Sequence, residues 1–232
     1  MSKSVRKTAR TRSRRHERGP NWLLIGGIGV VGLIVLGVLL AIALQPKEIL
    51  TLETYCQENP NVCFAKGNPD APVTIVEVSD FACPHCRNFH EMTFPRLQAE
   101  YIESGDVYWI MLPFALSGDR LPMAAAAMCA GEQDAYFEFA EALFDQFEAP
   151  DRAERDGLLR IGSEIGLDMA AFTSCVESGK YQDTVRENIR VASALRVNAT
   201  PTFFINGRKL EGALPYNMFQ QRIDAALTGG SS

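Results

Sequence analysis

An uncharged apolar run near the N-terminus divides the chain into two parts. Residues 22–44 contain 23 consecutive residues without a charged side chain. As a helix they would measure about 34 Å, enough to cross a hydrocarbon core of roughly 30 Å. Ala41-Ile42-Ala43 resembles a signal-peptide cleavage site, but such signals have apolar runs of only about 7–15 residues. The sequence therefore predicts an uncleaved transmembrane helix, with cleavage as the alternative.

The charges on either side of this run predict its orientation. Residues 1–20 carry eight Lys or Arg side chains against one acid, a net charge of +7. Basic residues beside a first span stay in the cytoplasm, so the chain after Leu44 is expected outside it. That part has 15 basic and 27 acidic side chains, a net charge of −12. This acidic balance argues against nucleic acid as a partner.

All six cysteines follow the apolar run. If the predicted orientation holds, they lie where disulfides persist, so every pair is a candidate bridge. The cysteines are Cys56, Cys63, Cys83, Cys86, Cys129 and Cys175.

Residues 81–87, FACPHCR, allow several kinds of cysteine chemistry. Attachment of a c-type haem requires histidine directly after the second cysteine, and Arg87 stands there. Structural zinc requires a second ligand pair at close spacing, whereas Cys129 and Cys175 are single and distant. No metal and no other cofactor is therefore predicted. A structural bridge and a redox-active pair remain.

The residues that flank the two cysteines favour redox chemistry. Residues 71–81, APVTIVEVSDF, are β-branched and mostly apolar, which predicts a buried strand. Pro84 fits the first turn of a following helix, which Pro95 is expected to bend rather than end. Cys83 would then lie at the helix N-terminus, where unpaired N–H groups and the helix dipole stabilise a thiolate. A nucleophile benefits from that position, and a structural bridge does not.

A second signature lies at residues 198–212, NATPTFFINGRKLEG. Asn206-Gly207 is a strong signal for a type I′ turn between two strands, and residues 213–227 supply a closing helix. Together with CPHC after a strand, this signature resembles the DsbA-like thiol–disulfide oxidoreductases of the thioredoxin fold. The resemblance covers about residues 68–227. It implies that Thr200 and Pro201 form the loop in which a cis proline faces the active disulfide.

The predicted fold class is α/β: a thioredoxin-like fold with an inserted helical subdomain, preceded by one N-terminal transmembrane helix. Between Cys86 and Pro201 lie 114 residues, far more than one strand and one helix need. A helical insertion at that place is what the resemblance implies. The predicted domains are a basic cytoplasmic tail (1–20), the transmembrane anchor (21–45), a linker or extension (46–68), the DsbA-like domain (69–228, with the insertion at about 116–197) and a tail (229–232).

The resemblance also implies roles for the site residues. A substrate thiolate would attack Cys83 of the Cys83–Cys86 disulfide and release Cys86. His85 is expected to add positive charge or a donor near the Cys83 sulfur. Glu77 matches a buried carboxylate beneath the second cysteine, which implies a proton acceptor for Cys86; the alternative is a solvated acid at a strand edge. The residues expected to contact the substrate chain are Pro84, Thr200 and Pro201.

The other four cysteines are expected to form structural bridges. Cys129 and Cys175 both lie in predicted helices of the insertion, and two lone thiols are unexpected in an exported oxidase. Cys56 and Cys63 enclose a polar loop, which favours a local bridge. The alternative for these two is that one of them passes electrons to the redox pair.

These features predict a membrane-anchored, extracytoplasmic enzyme that oxidises cysteine pairs of exported proteins and is itself reoxidised by a quinone-linked membrane partner. One alternative is a disulfide reductase or isomerase kept reduced by a membrane donor. Residues 46–68 are too few for the dimerisation domain that isomerases usually carry. A metal-binding thioredoxin-like module is the other alternative, and the lack of further ligands nearby argues against it.

Overall fold

The computed structural model of the protein describes residues 34–37 and 51–229. Residues 34–37 are helical, and the rest of the predicted transmembrane anchor and cytoplasmic tail lies outside the described residues. Within the described ranges, no helix combines the length and apolar character that crossing a membrane requires.

A five-stranded sheet forms the centre of the folded unit. Its spatial order is β1-β3-β2-β4-β5, in which β2 and β3 are parallel and the other neighbours are antiparallel. The strand predicted at 71–81 is present, slightly shortened. The strands are β1 (Phe64–Lys66), β2 (Val73–Ser79), β3 (Val107–Pro113), β4 (Thr202–Ile205) and β5 (Arg208–Glu211).

Strand β2 is buried on both faces, as its near-continuous apolar sequence predicts. Because side chains alternate along a strand, Ile75, Glu77 and Ser79 share one face, and Val76 and Val78 the other. The helices that cover the sheet and form the insertion are α1 (Leu52–Glu58), α2 (Pro84–Met92), α3 (Phe94–Leu97), α4 (Leu121–Gly131), α5 (Tyr136–Asp145), α6 (Arg155–Glu164), α7 (Met169–Ser178), α8 (Gln182–Ala194) and α9 (Tyr216–Leu227).

Two hydrophobic cores lie on the opposite faces of the sheet. On the Ile75 face, Phe89 of α2 and Phe219 of α9 are fully buried, with ring centroids 5.3 Å apart. Burying a side chain of this size contributes about 1.5–3 kcal/mol. On the other face, Leu52 of α1 and Ala192 of α8 pack against Val76. The active-site helix α2 is therefore fixed to the sheet by its own apolar side.

The helix that begins at Pro84 ends earlier than the sequence predicts. Helix α2 stops at Met92, and the short helix α3 begins at Phe94 with Pro95 in its first turn. The expectation that Pro95 only bends a continuous helix was wrong. Pro95 has no N–H to donate to the carbonyl of Glu91, and its ring would clash with that carbonyl.

The insertion is helical, as predicted, and consists of α4 to α8 between β3 and β4. Helix α4 is buried along most of its length and lies at the centre of this subdomain. Cys129 on α4 and Cys175 on α7 are bonded, with a Cα–Cα distance of 5.8 Å. The bond joins two helices that are separated by 46 positions in the sequence.

The segment 46–68 is more than a linker in its described part. It contains α1 and the edge strand β1, which pairs with β3. Cys56 at the end of α1 is bonded to Cys63 directly before β1. The carboxylate of Glu53 accepts a hydrogen bond of 2.6 Å from the backbone N–H of Gly207. The extension is therefore attached to the sheet by a strand, a disulfide and a polar contact.

The predicted hairpin turn lies between β4 and β5. Asn206 and Gly207 both have positive φ values, 45° and 77°, as a type I′ turn requires. The Asn206 side chain accepts a hydrogen bond of 2.7 Å from the backbone N–H of Thr74. This contact fixes the hairpin against the start of β2, at the end of the sheet opposite the two central cysteines.

Candidate active site

The two cysteines of the CPHC segment lie where β2 passes into α2. Cys83 is the N-cap residue of α2, and Pro84 occupies its first turn. Cys83 is 6% exposed and Cys86 is fully buried. Both thiols are free in this structure. The Cys83 sulfur therefore lies at the start of the helix and is slightly exposed, whereas the Cys86 sulfur lies one helical turn further along and is fully buried.

The turn that leads to Cys83 is held by Asp80. Asp80 is buried, and its Oδ1 accepts a hydrogen bond of 2.7 Å from the Ala82 N–H. Its Oδ2 accepts from the Leu116 N–H at 2.8 Å and from the Arg120 guanidinium at 3.2 Å. Asp80 therefore caps this turn. Asp80 also ties the turn to the end of β3.

The pKa of the Cys83 thiol is lowered from 9.0 to about 5. The largest cause is the hydrogen bond from the Cys86 side chain, followed, against an opposing effect of burial, by the Thr200 side chain. The backbone N–H groups of Cys86 and His85 lower the pKa further, as expected for a sulfur at a helix N-terminus. Cys83 is therefore a thiolate at neutral pH.

The Cys86 thiol has the opposite character. Burial raises its pKa well above the usual range, and the hydrogen bond to Cys83 raises it further. The hydroxyls of Ser79 and Thr200 act in the other direction, as donors to its anionic form. Both hydroxyls are buried, and apart from the two sulfurs neither has a hydrogen-bond partner in the described structure. Cys86 therefore stays a thiol while Cys83 is ionised.

The loop before β4 faces the first cysteine. The peptide bond between Thr200 and Pro201 is cis, as the resemblance implies. Cys83 Sγ lies 3.3 Å from the backbone carbonyl oxygen of Thr200, to which it donates a hydrogen bond when it is protonated. The structure thus brings Thr200 and Pro201 to Cys83, although about 117 positions separate them in the sequence.

Pro84 and His85, the two residues between the cysteines, are exposed. His85 acts on the Cys83 sulfur through its backbone N–H. The contribution of this N–H is of the kind expected for a sulfur at a helix N-terminus.

Glu77 is fully buried and lies on the face of β2 that α2 covers. It is not a solvated acid at a strand edge. Its Oε1 lies 2.8 Å from His90 Nε2, and its Oε2 accepts a hydrogen bond of 3.2 Å from Trp109 Nε1. These contacts neutralise a carboxylate that would otherwise be costly to bury. Glu77 and Ser79 are two residues apart on β2, so their side chains lie on the same face of the sheet.

Two residues of the site were not identified from the sequence. The first is His90, the partner of Glu77. The available signal was its spacing: His90 follows Cys86 by four residues, so both lie on the same side of α2. The second is Arg152, which is 9% exposed and comes from the insertion.

Arg152 supports the turn before Cys83 from the insertion side. Its guanidinium donates to the carbonyl of Phe81 at 2.9 Å and lies 4.2 Å from the centroid of the Phe147 ring. Burial lowers its pKa. No local sequence pattern indicates this contact, because 71 positions separate the two partners.

These residues form a site suited to thiol–disulfide exchange. One sulfur is a stabilised thiolate and therefore a good leaving group, and the other is buried and protonated. The carbonyl of Thr200 and the exposed Pro84 lie beside the reactive sulfur. Among the described residues, no three His, Cys, Asp or Glu side chains are grouped so that they could hold a metal ion.

Comparison with known proteins gives a consistent result. A thioredoxin family model matches residues 61–225, which include the sheet, the insertion and α9. "Probable disulfide bond formation protein D" of Bacillus anthracis is 30% identical, with 82% of this chain and 90% of the relative covered. "Disulfide bond formation protein D" of Bacillus subtilis is 27% identical, with 70% of this chain and 76% of the relative covered.

A solved structure shares the fold of the described domain. The crystal structure of α-DsbA1 from Wolbachia pipientis superposes with a TM-score of 0.64 at 28% identity. The superposition covers 71% of this chain and 92% of that protein. The relative is therefore matched over nearly its whole length.

Proposed function

The chain belongs to the thioredoxin family and is a DsbA-like protein thiol–disulfide oxidoreductase, and we propose that it is a membrane-anchored enzyme that oxidises cysteine pairs of exported proteins. In this proposal the redox-active group is the Cys83–Cys86 disulfide. The relatives named for disulfide bond formation support the oxidising direction.

The observation that carries the proposal is the opposite protonation of the two thiols. A Cys83 pKa of about 5 means that the site stabilises the Cys83 thiolate. This stabilisation favours the reduced form of the pair. A disulfide whose reduced form is stabilised is a strong oxidant, because the equilibrium favours the transfer of two electrons from the substrate to the enzyme. A reductase would need the reverse, a disulfide form stabilised over the dithiol.

The reaction follows from this asymmetry. A substrate thiolate attacks Cys83 Sγ, the Cys83–Cys86 bond breaks, and Cys86 leaves with the electron pair. A second substrate thiol then loses its proton and attacks the substrate sulfur of the mixed disulfide. Cys83 leaves as a stabilised thiolate, so the substrate is oxidised by two electrons and the enzyme is reduced.

Five further residues take roles in this reaction. Thr200 and Pro201 offer backbone to the substrate chain beside Cys83, and Pro84 contributes exposed surface at the same place. Glu77 accepts and returns the proton of Cys86. His85 stabilises the Cys83 thiolate through its N–H and its imidazole.

The anchor and the partner belong to the same proposal. Residues 21–45 hold the enzyme in the membrane, residues 1–20 lie in the cytoplasm, and the catalytic domain (69–228) lies outside it. The apolar run and the charge asymmetry on its two sides support this arrangement. A quinone-linked membrane protein reoxidises the pair. Residues 46–68 connect the anchor to the catalytic domain, and residues 229–232 form a short tail after it.

The localisation is tested with reporters fused after Ser232. A reporter that is active only outside the cytoplasm should be active, and one that is active only inside should not. The protein should remain with the membrane after alkaline washing. A soluble protein that begins near Leu44 would instead identify a cleaved signal.

The direction of electron flow is tested by equilibrium with glutathione. The Cys83–Cys86 pair should be reduced at glutathione ratios that leave ordinary structural disulfides intact, and the oxidised protein should introduce disulfides into a reduced, unfolded substrate. A pair that stays oxidised under these conditions would favour the reductase or isomerase alternative. Metal that copurifies in equal amount would favour a metal-binding module.

A further inference from the structure

A buried carboxylate that exchanges a proton in each cycle needs a connection to solvent. Glu77 has no exposed surface, and Cys86 has none either. Cys86 and His90 are one helical turn apart on the same side of α2, and His90 contacts Glu77, so the carboxylate lies beside the part of α2 that carries Cys86. Proton transfer requires groups within hydrogen-bond reach, directly or through one water molecule. The contacts of Glu77 therefore decide where its proton goes. Of its two side-chain partners, the Trp109 indole is a donor only and does not exchange protons near neutral pH.

His90 is the partner that can exchange a proton. Its Nε2 lies 2.8 Å from Glu77 Oε1. The ring is held between Phe144, stacked at a centroid distance of 4.4 Å, and Phe94, at 4.9 Å. This packing aims one ring nitrogen at Glu77 and fixes the direction of the other. Imidazole can accept a proton at one nitrogen while it releases one from the other.

The outer side of His90 borders a cavity. The His90 side chain is 11% exposed, whereas that of Glu77 is fully buried. The cavity has a volume of about 230 Å³, which is ample for water, and is lined by polar and aromatic groups. It lies between α2, α3, β1, β3 and α5, away from Thr200 and Pro201. Lining side chains include Lys66, Gln98, Phe137, Glu141 and Asp145.

We infer that His90 is a proton-relay residue, which carries the proton of Cys86 between Glu77 and water in this cavity. This inference rests on the proposed function and adds to it a route for the proton that is separate from the substrate-binding surface. His90 acts through Glu77 and does not touch the reacting sulfurs.

The proton balance of the relay is simple. When substrate opens the disulfide, Cys86 leaves as a thiolate. The Glu77 carboxylate receives a proton from His90 Nε2 and passes it to Cys86, and His90 is reprotonated at Nδ1 from the cavity water. During reoxidation the same steps run in reverse, as Cys86 gives up its proton and attacks. No electrons move along this route.

Several charged or titratable groups lie around the Glu77–His90 pair. Lys66 comes from β1 and Glu91 from α2, and α5 adds Tyr136, Glu141 and Asp145. The cavity side of His90 is therefore polar, as a route for protons requires.

The test follows the two steps by which glutathione disulfide oxidises the reduced full-length protein. Cys83 first forms a mixed disulfide with glutathione, and Cys86 then displaces it. Acid quenching and mass spectrometry measure the mixed disulfide over time. In His90→Gln, which retains one hydrogen bond to Glu77 but cannot relay, the second step should slow at least about tenfold while the first stays unchanged. The pH profile of the second step should change, and the mixed disulfide should accumulate.

A matched control is Glu141→Gln, which alters the cavity without touching Glu77. It should leave both steps and their pH profiles as in the wild type. In His90→Ala, added imidazole should restore the second step, because the removed side chain leaves space that opens to the cavity. 1-Methylimidazole fills the same space but lacks one N–H, so it should not restore the rate.

Two results would overturn the relay. One is an unchanged second step in His90→Gln. The other is an equal slowing of both steps without a change in pH profile, or equal rescue by the two imidazoles, since each would indicate a structural role. These results are independent of the proposed direction of electron flow, which the glutathione equilibrium of the wild-type protein measures separately.

Discussion

The thiol of Cys83 and the backbone carbonyl of Thr200 are hydrogen-bonded at 3.3 Å. This contact joins the N-terminus of α2 to the loop that begins β4, so the reactive sulfur and the proposed substrate-binding backbone form one surface. A substrate sulfur that approaches Cys83 must pass beside Thr200. The exchange chemistry and the recognition of the substrate chain are therefore located at the same few atoms.

Substitution of each active-site thiol should produce a different defect. Cys83→Ser should abolish oxidation of a dithiol peptide, because the active pair can no longer form a disulfide for the substrate to attack. In Cys86→Ser, the Cys83 thiolate can still attack a substrate disulfide and expel one substrate thiolate, but the thiol that would displace the substrate from the mixed disulfide is missing. Mixed disulfides with disulfide-bonded substrates should therefore accumulate and be visible on non-reducing gels. Full turnover by Cys83→Ser would contradict the assignment of the nucleophile.

The stability of the reduced protein should rise with pH. The folded pKa of Cys83 is about 5 and that of the unfolded thiol is near 9.0. Between these values the unfolded chain binds a proton that the folded protein does not, so unfolding becomes less favourable as pH rises. The gain is lost as pH falls through about 5. At about 1.4 kcal/mol per pKa unit it amounts to several kcal/mol.

The measurement compares urea unfolding of the dithiol and disulfide forms at mildly acidic and neutral pH. The dithiol form should gain stability over the disulfide form as pH rises. Cys86, whose pKa is raised, contributes in the opposite sense only above its unfolded value and does not disturb this range. The control is Cys83→Ala/Cys86→Ala, in which the pH dependence specific to the pair should vanish. A difference that is independent of pH would contradict the lowered pKa.

The sequence predicts the part of the site that depends on local signals. Proline after Cys83 marks the helix start, the β-branched run marks β2, and Asn206-Gly207 marks the hairpin. Each is decided by backbone preferences of neighbouring residues, so a short window contains the information. The same holds for the position of Cys83 at a helix N-terminus, which is one of the causes of its low pKa.

The remaining parts depend on contacts between distant segments. Arg152 reaches Phe81 across 71 positions, and no local pattern records that pairing. Strand β1 has only three residues, too few to show a period of two, and it forms because β3 offers an open edge. The pairing of Glu77 with His90 lies between these cases. The sequence indicates where each residue lies in its strand or helix, but predicting their contact requires knowing how α2 packs on the sheet.

The disulfide of the insertion should stabilise the protein without taking part in exchange. Cys129 and Cys175 close a loop of 46 positions, for which the chain-entropy model gives about 4 kcal/mol. Cys129→Ala/Cys175→Ala should lose stability of this order in urea unfolding and retain peptide oxidation. Non-reducing peptide mapping should recover the Cys129–Cys175 link after mild reduction has opened the active pair.

The second bridge provides the matched control. Cys56 and Cys63 are separated by only seven positions, so the same model gives about 2 kcal/mol for their removal. Cys56→Ala/Cys63→Ala should therefore cost less than the insertion variant. Loss of peptide oxidation in this control, with the fold retained, would instead support electron transfer through one of these two thiols.

His85→Ala separates the imidazole from the main chain as the source of the Cys83 thiolate. The substitution removes the side chain but leaves the His85 N–H, the Cys86 N–H and the Cys86 thiol, all of which lower the pKa of Cys83. The pKa of Cys83 should therefore rise yet remain well below that of a free thiol. Each unit of increase corresponds to about 1.4 kcal/mol and to roughly 30 mV for a two-electron couple. The pair should become less oxidising by the corresponding amount. Ultraviolet absorbance of the thiolate against pH gives the pKa, and equilibrium with glutathione gives the potential; if neither changes, the main chain and Cys86 alone stabilise the thiolate.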